Sequence, residues 1–201
     1  MKLYRNYYYL GVAVIVAALI LGYWFYSSKL FIPNDFYMAR ENSTKIARII
    51  VDDSSENLNL LGAISKLDQS GDYSMALNVV SRAVINNRKN TKSAVELSQQ
   101  LEIMAINTAK IKPDKAKELA ISAISSEVAL VSRLLKYNGY LAELFELLKL
   151  KFSVKEFDPA NSIQELVVKL NDEAKAVNSL NDKFNSLMAE FDALVVNSSE
   201  K

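Results

Sequence analysis

Oxygen-bearing side chains alternate at Asp68, Ser70 and Asp72, the spacing at which ligands converge on a calcium ion. A helix-loop-helix calcium site starting at Asp68 needs glycine at its sixth position and a bidentate glutamate at its twelfth. Those positions hold Tyr73 and Val79, so the strongest ligand is missing and the triplet is no calcium loop. The adjacent acids Asp52-Asp53 and Asp172-Glu173 are the other carboxylate pairs. Acid-base catalysis needs two carboxyls in different surroundings, one held protonated and one ionised, facing a common substrate. Neighbours at a turn or on a polar face do not meet that condition. The chain has no histidine and no cysteine, which removes Ser-His-Asp triads, Cys/His nucleophiles, zinc sites, histidine-ligated haem and disulfides. Five glycines leave no phosphate-cradling loop. The expectation is a non-catalytic protein with no cofactor-binding and no metal-binding residue.

The elements around these residues are more informative. The chain has 201 residues, 50% of them hydrophobic, enough for one packed domain and an appendage. Its net charge of +1 and its lack of a basic patch argue against nucleic acid as a partner. The stretch from Leu10 to Gly22 carries no charged or hydrogen-bonding side chain, and aromatic residues bracket it from Tyr7 to Tyr9 and from Tyr23 to Tyr26. Tyr7 to Tyr26 as a helix spans about 30 Å, the thickness of a bilayer's hydrocarbon core. Interfacial tyrosine and tryptophan at both ends suit the same reading. A single-pass transmembrane anchor is therefore predicted, with Tyr9, Leu10, Val14, Ala18, Gly22 and Trp24 among its residues. No small-x-small cleavage pattern follows the apolar run, because YWFYSSKL is bulky where a signal peptidase requires alanine. Lys2 and Arg5 place the N-terminus in the cytoplasm and the rest of the chain outside it.

After Pro33 the apolar residues recur at the helical period and no segment alternates as a strand would, so the fold class is all-α. Helices are predicted near 35–51, 55–69, 72–87, 91–111, 114–137, 140–153 and 160–197. Polar runs supply the breaks: Asp52-Asp53-Ser54-Ser55, then Asn86 to Thr91, then Asn138-Gly139. The domain organisation is residues 1–33 as tail and anchor, 34–158 as a helical-hairpin domain, and 159–201 as a long C-terminal amphipathic helix. In that last helix Ile163, Leu166, Leu170, Val177, Leu180, Phe184, Leu187, Phe191 and Leu194 form a stripe that Glu173 alone interrupts. A seven-residue repeat of this kind drives coiled-coil self-association, whereas the extra width from Val167, Ala174, Met188 and Val195 favours packing on the same chain.

Between the predicted helices, SGDYSMALNVVSRAV reads as a hairpin turn entering a second helix. Gly71 permits the left-handed conformation that ends a helix, Asp72 caps the next, and Ala76, Val80 and Ala83 make a narrow seam. The pattern Gly71-x-Tyr73-x-x-Ala76-x-x-x-Val80-x-x-Ala83 resembles the second half of a tetratricopeptide repeat, with Leu60 and Leu67 at large apolar positions of the first helix. Ala116, Ala120 and Ala123 repeat the spacing forty residues on, with Pro113 where the first copy has Tyr73. Ile64 and Met104 replace the small residue that the family favours. The resemblance covers about residues 55–127; the alternative is an unrelated helical bundle. It implies repeat packing through Gly71, Tyr73, Ala76, Ala83, Ala116 and Ala123, and a partner groove that includes Leu61, Ser65, Asp68 and Gln69. The functional expectation is a membrane-anchored scaffold for a membrane-associated protein partner, with self-association through the C-terminal helix as a further possibility. The competing expectation is an accessory subunit buried in a larger membrane complex.

Overall fold

The computed structural model describes residues 30–154 and 157–199. Four long helices account for nearly all of them: α1 (Asn34–Ser70), α2 (Tyr73–Thr108), α3 (Asp114–Ser153) and α4 (Ala160–Ser199). Each is antiparallel to the one before it, and they pack in the order α1 on α2, α2 on α3, α3 on α4. The fold is all-α. The transmembrane anchor expected from the sequence lies outside the described residues. Among those residues no helix is long and apolar enough to cross a membrane.

The α1–α2 turn forms as its residues dictate. Gly71 has φ 73°, the left-handed value, and the Gly71 and Asp72 amides donate to the carbonyls of Asp68 and Leu67. Asp72 then caps α2, its carboxylate accepting from the Met75 amide at 3.0 Å. At the entry to α4 the Asp158 carboxylate accepts from the Ala160 amide at 3.1 Å.

The predicted breaks inside the helices are corrected. α1 runs through Asp52 to Ser55, α2 through Asn86 to Thr91, and α3 through Asn138-Gly139. The side chains of Asn86, Asn87, Asn90 and Thr91 bond across the bundle or up their own helix instead of stopping it. The Asn86 amide donates to the Asp53 carbonyl at 2.7 Å and to Asn57 Oδ1 at 3.1 Å. Asn90 donates to Ser54 Oγ at 2.9 Å, and Asn87 to the Asn138 carbonyl at 2.8 Å. Thr91 donates to the Asn87 carbonyl one turn back, a bond available only within a helix.

These residues form a polar belt that separates two hydrophobic cores. On one side Phe36, Ile50, Leu97, Leu101, Met104, Ile124, Leu134 and Phe191 pack together. On the other, Leu60, Ile64, Val80, Leu141, Phe145, Phe152, Leu166 and Leu170 do so. α4 contributes its Glu173 to the belt, between Leu170 of one core and Val177 beside the other. The break that Glu173 makes in the α4 stripe thus has a partner: Arg133 Nη1 donates to both carboxylate oxygens at 3.3 Å. The stripe itself faces its own chain, with Leu166, Leu170, Met188 and Phe191 buried.

Candidate functional site

α1 and α4 bound the bundle's open side. No Cα of one lies within 8 Å of a Cα of the other. Long side chains bridge the gap at one pole, where the Phe36 and Phe191 rings stand 5.8 Å apart and Arg40 donates two 2.7 Å bonds to the Asp192 carboxylate. Below that bridge the gap becomes a cavity of about 390 Å³ reaching down to α2 and α3. Leu97, Leu130 and Leu134 form its floor, Ile50 and Val177 its walls. Val51 and Leu58, both more than 60% exposed, stand at the mouth with Ser54, Ser55, Asn178 and Asn181.

One ionisable group lies on the floor. Glu127 is 7% exposed, and its Oε2 has no hydrogen-bond partner among the described residues. Burial without a compensating donor disfavours the charged carboxylate, and its pKa is pushed up to about 7. Tyr137 also borders the cavity, and burial raises the pKa of its phenol. The other residues lining the cavity carry no charge. Arg133, in the same helix, is engaged with Glu173. The site therefore holds a carboxyl that changes charge near neutral pH inside an apolar recess, ready to accept a hydrogen bond. Among the described residues no second carboxyl lines the cavity.

Glu127 carried a signal in the sequence that composition arguments pass over. It follows Ala116, Ala120 and Ala123 and precedes Leu130 and Leu134 at helical spacing, so it is the one acid on an otherwise apolar stripe. An acid at a core position is either paired or functional.

The residues expected to mediate repeat packing occupy the seams between helices. Ala76, Ala83, Ala116 and Ala123 are completely buried. Ala76 and Ala83 belong to one core and Ala116 and Ala123 to the other, so the two sets do not meet. Tyr73 is 46% exposed and stacks on Phe152 of α3, ring centroids 5.5 Å apart. The expected groove residues lie on the last three turns of α1, from Leu61, one turn beyond the cavity-lining Leu58, to Gln69 beside Gly71. There Leu61 packs against the second core, Asp68 accepts from Lys151 Nζ of α3, and Ser65 and Gln69 face water.

A second surface feature is apolar. On α2, Ile85, Val95, Ile103 and Ile106 are exposed, and on α3 so are Ile121, Val128 and Leu135. The α3 residues recur every seven positions and line one side of their helix. The Asn87–Asn138 bond fixes the α2–α3 register, which brings Val95 to the height of Val128. No family model, curated protein or solved structure matches the chain.

Proposed function

We propose that this chain is a non-catalytic helical scaffold that binds a protein partner, held at a bilayer by the segment from Tyr7 to Tyr26. The observation that supports this reading most is the row of aliphatic side chains on α2 and α3. Single exposed aliphatics are ordinary, but rows aligned on neighbouring helices are the usual mark of a protein contact surface. The mechanism is equilibrium recognition. A tether in the same bilayer as the partner raises its effective concentration without any new contact. On this reading the α1–α2 hairpin, with Gly71 at its turn and Ala76 and Ala83 in its seam, is the tetratricopeptide-like unit. Leu61, Ser65, Asp68 and Gln69 then mark a second contact point at the Gly71 pole.

The same aliphatic rows also favour a second reading, an accessory subunit permanently covered by a larger membrane complex. Photo-crosslinking side chains at positions 106 and 128 of the full-length chain, in its own membranes, test both. A scaffold gives adducts with a discrete protein, and the purified chain is monomeric by light scattering. An accessory subunit gives adducts with several proteins and a chain that aggregates once extracted. Absence of any protein adduct at both positions removes both readings.

A further inference from the structure

We propose that the cavity between α1 and α4 is a binding site for a small hydrophobic cation, an alkyl amine whose ammonium group donates to Glu127. This site is separate from the aliphatic rows on α2 and α3 and does not depend on them.

Three observations converge on that class of ligand. The cavity, at about 390 Å³, falls within the size range of small-molecule pockets and is lined chiefly by aliphatic side chains. Such a lining recognises a hydrocarbon chain. Its single polar group on the floor is an acceptor, the Glu127 carboxyl, 7% exposed and with Oε2 lacking a donor. A buried acceptor without a donor costs free energy that a ligand's N–H recovers on binding. Finally, the charges around the cavity leave room for a cation. α1, α2 and α4 contribute no ionisable side chain to its lining, and α3 contributes only Glu127 and Tyr137. The nearby guanidinium groups already have partners, Arg40 on Asp192 and Arg133 on Glu173. An ammonium entering between Asn178 and Ser54 meets one carboxylate and no competing positive charge. A carboxylic acid would meet like charge there, and an alcohol would gain the hydrogen bond without the ion pair.

The test uses the full-length chain in lipid nanodiscs and three probes of equal chain length: n-hexylamine, 1-hexanol and hexanoate. Calorimetric titration is run in parallel on the Glu127→Gln variant, and protein-free nanodiscs of the same lipid subtract partition into the bilayer. At pH 8 hexylamine is expected to bind at least tenfold tighter than hexanol, with hexanoate showing no saturable binding. Glu127→Gln is expected to weaken hexylamine at least tenfold and leave hexanol unchanged. Lowering the pH to 5, where Glu127 is protonated, weakens hexylamine by a similar factor. Ala174→Phe, which fills the cavity, abolishes binding of both amine and alcohol. Equal affinity for amine and alcohol, amine binding that survives Glu127→Gln or Ala174→Phe, or no saturable amine binding would each overturn the proposal.

Discussion

At the scale of single residues, Glu127 contributes a pH dependence to folding. Its pKa stands near 4.5 in an exposed setting and about 7 in the folded chain, because burial penalises the carboxylate. The folded state therefore holds this proton more tightly than the unfolded state does. Between pH 4.5 and 7 the unfolded chain binds fewer protons, so stability from this group falls as pH rises and levels off above about 7. The full difference is about 3 kcal/mol, from ~1.4 kcal/mol per pH unit. Glu127→Gln keeps the shape and removes the charge. It is expected to stabilise the chain by roughly 2–3 kcal/mol at pH 8 and by little at pH 5, read from urea midpoints at the two pH values. An equal effect at both would show that the carboxyl is solvated. Glu173 is the contrasting case: it is nearly as buried, but its carboxylate is paired with Arg133. Two buried acids in one bundle thus differ in having a cation within reach.

At the scale of helices, the glycines separate turn from continuation. Gly71 has φ 73°, which L-residues adopt only at a cost, so Gly71→Ala is expected to destabilise by about 1 kcal/mol. Gly139 lies inside α3, faces solvent, and would place a Cβ in open space. Gly139→Ala is expected to stabilise by roughly 0.5–1 kcal/mol through helix propensity. Thermal melts of the two variants should move in opposite directions. The same pair shows what was legible in the sequence. Gly71 reads correctly because Asp72 follows as a cap and an apolar seam begins at Ala76. Asn138-Gly139 reads as a break because local chemistry alone cannot register Asn87, fifty-one residues away, donating to the Asn138 carbonyl. The runs Asp52 to Ser55 and Asn86 to Thr91 mislead for the same reason. Asparagine, serine and threonine near a helix end bond to their own backbone, but here Asn86, Asn87 and Asn90 reach a neighbouring helix and Thr91 bonds within its own. Helix type and the buried alanines follow from periodicity. Helix length depended on tertiary partners, and so did the cavity floor.

At the scale of the whole molecule, every helix passes through both cores and the belt between them, so neither half stands alone. α4 supplies Leu166 and Leu170 to one core and Phe191 to the other. Truncation before Ala160 is therefore expected to abolish cooperative urea unfolding of the remainder. Amide exchange should accelerate along the whole of α3, not in one half only. Persistent protection of Leu141 to Phe152 after truncation would show that the second core closes without α4. The belt also fixes register. Sliding one helix by a turn would drive Asn57, Asn87 or Asn138 into hydrocarbon.

The connectivity has a further geometric outcome. α1 climbs without interruption from Asn34 to Ser70, 37 residues that amount to about 55 Å of rise. The Gly71 turn and the Asp68–Lys151 ion pair consequently crown the end remote from residue 34, while Asp192 returns beside Arg40 near the base. α1 is thus a spar: whatever docks beside Gly71 stands a full helix length from the Arg40–Asp192 pair.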